Sequence, residues 1–352
     1  MSVVDVAGTW WAADAVRASR AGETDERAPR WALGRRGLQL ALGVLWVLDG
    51  ALQLQAGMLT ARFAHQVVAP AATGQPGWVA WIVLHGARAI AGHAAVSDLA
   101  FALIQLALGI GLLVPRTVRP ALAASVGWAT GVWVVGEGLG GIAGGTASFL
   151  TGAPGAAALY GLLALAAWPG GTTATRTHES RAAMTPPAWF PRAWAVLWVG
   201  LGALALFPAN RSPSRVAMQL AGSAGSSPAW LGDLDRVAAE VARRSGVAGV
   251  VLLGLGPVAV GLFGLGHGRA RRTAARTGIA LAAVTWVVGQ NFGQLYSGIA
   301  TDPNSAPLLV VAGLALLGTQ GARHACCVPT GQASTGCVRG AVDRAHVAEE
   351  IP

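Results

Sequence analysis

WVVGEGLGGIAGGTASFLTGAP, residues 133–154, and WVVGQNFGQLYSGIATDPNSAP, residues 286–307, overlay without a gap at an offset of 153 residues. The Trp-Val-Val-Gly opening, two further glycines, one alanine and the closing Ala-Pro coincide. Two more stretches repeat: LWVLDGALQL from Leu45 matches LWVGLGALAL from Leu197, and Pro76-Gly77-Trp78 matches Pro228-Ala229-Trp230, both at an offset of 152. Three anchors at a nearly constant offset indicate a duplicated unit. Within the repeated passage one difference stands out: Glu137 in the first copy is Gln290 in the second.

The composition says what solvent the unit meets. Of 352 residues, 53% are hydrophobic and 12% charged, against about 25% charged in a soluble domain. The expectation is an all-α integral membrane protein. A spanning helix needs about 20 mostly apolar residues, because hydrocarbon leaves no bare backbone group satisfied. Eight runs qualify, near 37–55, 97–114, 119–138, 154–169, 193–208, 246–266, 277–293 and 306–320. Four spans per copy is an even number, so both copies enter from the same side. The duplication therefore predicts two parallel four-helix repeats about an axis along the membrane normal.

Charge sets the orientation. All 25 basic residues are Arg, and Arg is retained on the cytoplasmic side. With both termini cytoplasmic, 18 fall inside and seven outside: Arg62, Arg88, Arg211, Arg215, Arg236, Arg243 and Arg244. The chain then divides into a cytoplasmic tail (1–36), a first membrane repeat (37–170), a cytoplasmic linker (171–192), a second repeat (193–320) and a cytoplasmic C-terminal tail (321–352). Residues 1–36 have no apolar core of a signal peptide. A net charge of +9 without a basic stripe interleaved with aromatics excludes nucleic acid as a partner. The expected partners are the bilayer of the cell membrane and other membrane subunits.

Each unit has a long outer segment after its first span, 56–96 and 208–245. Apolar positions in 229–245 recur at helical spacing, which suits a helix lying at the interface. Trp78, Trp81 and Trp230 would sit at headgroup depth. The first helix, LGVLWVLDGALQL, with the long outer segment after it, resembles the DoxX/DoxD-like family of small bacterial membrane proteins. That resemblance implies a redox-associated membrane subunit, here duplicated, with a quinone among its possible ligands.

The repeat serves as an internal control. Asp49, Gln53 and Gln55 become Leu201, Ala205 and Phe207; His65, His85 and His93 become Ala217, Val237 and Ser245. Ionisable groups vanish from the second copy while the scaffold residues stay. Asp49 and Glu137 both fall in the outer part of the membrane, where a carboxylate is costly unless paired or hydrated. They are the candidate ionisable pair, or else caps at the water boundary. His65, His85 and His93, with Met58 nearby, are candidate ligands for a transition metal, or ordinary interfacial histidines. In the C-terminal tail His324, Cys326, Cys327 and Cys337 could hold zinc. Three functions are consistent with these features: a non-enzymatic scaffold or assembly factor, a redox-associated subunit with an outer-face site in the first repeat, and a small-solute or proton-coupled transporter.

Overall fold

In the computed structural model, residues 29, 31–170, 185–222 and 224–319 are described, and among them every regular element is helical. The principal helices are α1 (Arg35–Leu52), α2 (Gly77–Gly92), α3 (Ala94–Leu113), α4 (Val118–Val135), α5 (Ala156–Ala166), α6 (Phe190–Leu206), α7 (Pro213–Ala221), α8 (Ala229–Leu265), α9 (Arg269–Val287) and α10 (Ser305–Gly318). Each of the eight apolar runs falls on a helix. Three of them, α3, α4 and α8, are long and apolar enough to cross a membrane. The His324–Cys337 group and both tails lie outside the described residues, apart from the last few residues before α1.

The helices are amphipathic in the inverted sense. On α3 the residues facing inward are Asp98, Ala102, Gln105, Gly109 and Leu112, while Val96, Leu99, Leu103 and Ile110 are exposed. On α1, Gln39, Asp49 and Gln53 are buried, while Val44 and Leu48 are exposed. A water-soluble helix would turn these faces round. Outward apolar side chains around inward polar ones suit a protein whose surroundings are hydrocarbon.

Close helix contacts recur in the two halves. A Cβ on Gly109 would lie 2.7 Å from the Gly43 carbonyl oxygen and 2.8 Å from the Val47 nitrogen; one on Gly261 would meet the Ala195 oxygen at 2.9 Å and the Val199 nitrogen at 3.1 Å. Gly50 sits against Ala102 and Leu106, as Gly202 does against Gly254 and Val258. Every one of these positions is displaced by 152. Small residues let α1 and α3, and α6 and α8, approach backbone to backbone, which is how helices associate where no hydrophobic drive exists between them.

Arginines close the helix ends on one side of the molecule. Arg36 donates to the Leu112 and Leu113 carbonyls, and Arg271 to those of Gly264 and Gly266. These satisfy the orphan C-terminal carbonyls of α3 and α8 with a charge of the favourable sign. At the same end Gln39 donates to the Ala167 carbonyl, and Leu33 N–H to that of Leu314. The short, buried α5 and α10, of 11 and 14 residues, pack against each other at the centre of the main apolar core.

One detail agrees with the sequence reading and one departs from it. Ala229–Leu265 is two helices joined at a kink: Gly246, with φ 59° and ψ −154°, separates the polar segment before it from the apolar run that begins at 246. Its first part is amphipathic, with Leu231, Asp235, Ala239 and Ala242 buried, and Glu240 paired to exposed Arg243 and Arg244. Those arginine contacts hold the Glu240 carboxyl below its usual range. Second, the gapless overlay of the repeated passage fails at its end. Trp133 donates to the Pro154 carbonyl and Trp286 to that of Pro303, each at 2.8 Å. Leu139-Gly140 and Phe292-Gly293 share left-handed backbone, still at an offset of 153. Beyond that turn the contacts match at 149, so the second passage is four residues shorter and Ala306-Pro307 is not the counterpart of Ala153-Pro154.

Candidate functional site

α1 places Trp46, Asp49 and Gln53 on one buried face, and this face forms the floor of a cavity of about 340 Å³. α3 adds Phe101 and Gln105, α4 adds Trp128 and two glycines, Gly127 and Gly131, and α5 adds Tyr160. Glu137, just past α4, also lines it, as do Thr301 and Asp302 from the second half. The two carboxylates singled out from sequence thus face one space. Beyond them lies a polar vestibule of about 720 Å³, with Glu137, Thr301 and Asp302 at the boundary between the two.

Asp49 and Glu137 are each held on one side only. Asp49 Oδ2 accepts from the Tyr160 hydroxyl at 2.5 Å, and Oδ1 has no partner. Tyr160 stacks on Trp46 with centroids 4.1 Å apart, and Trp46 Nε1 donates to Ser125 Oγ at 2.7 Å. Glu137 Oε1 accepts the Ala157 N–H at 3.0 Å, one of the orphan donors at the start of α5, while Oε2 is unpartnered. Gly155, at φ 104°, leaves the space that Oε2 occupies; a Cβ there would collide with it. Asp302 accepts from Thr301 Oγ1 at 2.6 Å and from the Asn304 N–H at 2.7 Å. Burial pushes its carboxyl above the ordinary value against the opposing pull of these two bonds, and its charge reaches both Asp49 and Glu137.

In the second half the corresponding polar chain is gone. The positions of Asp49, Ser125 and Tyr160 are taken by Leu201, Gly278 and Leu309, using offsets of 152, 153 and 149. Trp198, where Trp46 would be, keeps a buried Nε1 without a partner. Gln290 Oε1 accepts the Ala306 N–H at 3.1 Å, as Glu137 does that of Ala157, but its Nε2 donates to the Phe149 carbonyl and to Ser305 Oγ. The space beside Ala205 and Val250 is reduced to about 10 Å³, with Phe149 and Leu150 in its wall. Those two belong to the short turn Phe149–Thr151, which falls where the second passage is four residues shorter. The longer loop of the first half fills the second half, and the shorter loop of the second half leaves the first half open.

The histidines are not brought together. His65, His85 and His93 are all exposed, and among the described residues no group of three or more His, Cys, Asp or Glu lies close enough to hold a metal. His85 instead tilts onto Trp81 and meets its carbonyl oxygen. Met58 is fully buried among Phe63, Val68 and Val79, a packing residue. The reason lies in helix geometry: His85 and His93 are separated by the break between α2 and α3, and His65 lies in a different turn.

Sequence reasoning passed over Tyr160, Gln105, Trp128 and Asp302. Gln105 was visible as a polar residue inside an apolar run. Tyr160 stands out only after its pairing with Leu309 is known, and that needs the four-residue shift. Asp302 joins the site from the other half, and spacing carries no signal of it. Comparison with protein-family models, with curated proteins and with solved structures returns no match.

Proposed function

We propose that this chain is a multi-pass membrane protein of two parallel four-helix repeats. Its first repeat binds a small, largely apolar molecule near the outer face, and its second is a closed structural partner. The observation that carries this reading is the cavity of about 340 Å³ in one half, against the leucine-lined, plugged region in the other. A scaffold without a ligand has no use for a buried carboxylate–tyrosine pair facing an open space, since such groups are expensive in a membrane interior. The DoxX/DoxD-like resemblance would add a redox setting; nothing in the geometry of the wall calls for one.

The reading is tested by an apolar carboxyl reagent. Dicyclohexylcarbodiimide, applied to the protein in lipid nanodiscs, should label Asp49 or Glu137, as mapped by mass spectrometry. A Cβ added at Gly127 or Gly131 meets nothing within 4 Å, so Gly127→Leu with Gly131→Leu should fill the cavity without disturbing the backbone. Labelling should then slow by about tenfold or more, equivalent to about 1.4 kcal/mol. Absence of labelling, or labelling indifferent to the filling, would refute a ligand cavity.

Orientation follows from the arginine split and from the arginine caps at one end of the bundle. Single cysteines at exposed Gly74 and Gly225, in a background lacking the native three, should react with an impermeant maleimide in intact cells. Reaction only after lysis would reverse the proposed topology.

A further inference from the structure

Most of the buried unpartnered atoms of the lining residues are acceptors. Asp49 Oδ1, Gln53 Oε1, Gln105 Oε1 and Glu137 Oε2 have no hydrogen bond and Trp128 Nε1 is the one such donor, while Gln53 and Gln105 each also carry an amide donor. Asp49, Gln53 and Gln105 are 1%, 3% and 5% exposed, so water does not freely supply the missing donors. Three carboxyls line the space, Asp49, Glu137 and Asp302, and no Arg, Lys or His does. A buried charge without a counter-charge is unfavourable. What would complement this wall is a ligand that brings positive charge and N–H donors.

The rest of the wall suits the rest of such a ligand. Trp46 and Tyr160 stack at 4.1 Å, and Phe101 and Trp128 lie with centroids 5.4 Å apart. Aromatic faces attract an organic cation and also cover its apolar body. Inorganic cations gain little from such rings, and the carboxyls are not grouped closely enough to ligate a metal.

We propose that the cavity binds an organic cation, a protonated amine on an apolar body, with the ammonium toward Asp49 and Glu137 and the body against the aromatic wall. This rests on the reading that the cavity holds a ligand, and it names the ligand class. The second half has lost the site as a unit, since Leu201 and Leu309 replace the acid and its tyrosine.

The test uses a matched pair of probes, n-octylammonium chloride and 1-octanol, which share the alkyl chain and differ in charge. An alkylammonium, like the lysine side chain, titrates near about 10.4 and is charged at neutral pH. In nanodiscs at neutral pH, octylammonium should slow carbodiimide labelling of Asp49 and Glu137 by about tenfold at a concentration where octanol has no effect. In Asp49→Asn, protection at Glu137 should weaken by about tenfold, because one of the two acids facing the ammonium is gone. Equal protection by octanol would overturn the cation assignment and leave the ligand cavity standing. If octylammonium does not protect, the cation assignment falls; if the double leucine variant also labels at the normal rate, the ligand cavity falls with it. Protection by octylammonium that persists undiminished in an Asp49→Asn, Asp302→Asn variant would also refute the assignment, because it would show the charge preference arising elsewhere.

Discussion

Gly50→Leu and Gly202→Leu, made separately, should each destabilise the fold by at least about 3 kcal/mol, the upper range for overpacking a core. A Cβ on Gly50 would stand 2.8 Å from Leu106 Cγ, 3.0 Å from Leu106 N and 3.1 Å from the Ala102 oxygen; one on Gly202 would stand 3.1 Å from Val258 N and closer still to the Gly254 oxygen. Side chains can change rotamer, but backbone atoms of an opposing helix move only with the helix. The remaining three carbons of leucine would force α1 from α3, or α6 from α8. Gly200→Leu and Gly256→Leu are the controls, since a Cβ there meets nothing within 4 Å. They should be neutral or slightly stabilising, because glycine is a poor helix former. The measurement is the midpoint of unfolding in a denaturing detergent, followed by circular dichroism. Gly50→Leu behaving like Gly200→Leu would mean that α1 and α3 are not in backbone contact. Because Gly50 adjoins Asp49, its substitution should also alter carbodiimide labelling; Gly202→Leu, in the half without the cavity, should lower stability alone.

Those helix pairs explain how much was legible beforehand. Hydropathy found every apolar run that is a helix, because a run of that length in a chain with so few charges has one way to satisfy its backbone. It also placed a boundary at Gly246, where the polar helix meets the apolar one and the backbone kinks. Asp49 and Glu137 were legible as a pair because they vanish together from the second half. The three histidines vanish as well, yet they are exposed and scattered. Loss of a residue type between halves therefore does not identify a site by itself; burial is the second condition, and one-dimensional spacing does not report it for a loop or a helix break. The four-residue difference between the passages was hidden by a chance coincidence of Ala-Pro. It shifts the counterpart of Tyr160 from Gly313 to Leu309, turning an uninformative comparison into the one that shows the polar chain being dismantled.

The same shift revises what the Glu137–Gln290 difference means, and the last expected result follows from it. Gln290→Glu should be costly, by about 3 kcal/mol at neutral pH, whereas Glu137→Gln should leave the fold nearly unchanged. Gln290 is 3% exposed and uses both ends of its amide: Oε1 accepts from Ala306, and Nε2 donates to the Phe149 carbonyl at 3.1 Å and to Ser305 Oγ at 3.2 Å. A carboxylate keeps the first bond and loses the donor. It sets a charged oxygen against the Phe149 carbonyl, in the loop that fills the second half. Ser305 can turn its hydroxyl to donate; a carbonyl cannot. Protonation would restore a donor, so the folded state should hold the new carboxyl above the unfolded value of about 4.3. Its contribution to stability is then fully present below that value and is lost as pH rises through the folded pKa. The deficit of Gln290→Glu relative to the parent protein should accordingly widen from pH 5 to pH 8. Glu137→Gln has no such conflict, because its Oε1 still accepts from Ala157 and the second oxygen, which had no partner, becomes an amide facing the cavity. That variant should unfold like the parent and lose the carbodiimide label at this position. A neutral Gln290→Glu at pH 8 would place Gln290 outside the buried junction; an unstable Glu137→Gln would make the carboxylate a structural cap. In the first copy the passage presents an acid to an open space, and in the second the same turn needs a donor to hold a plug.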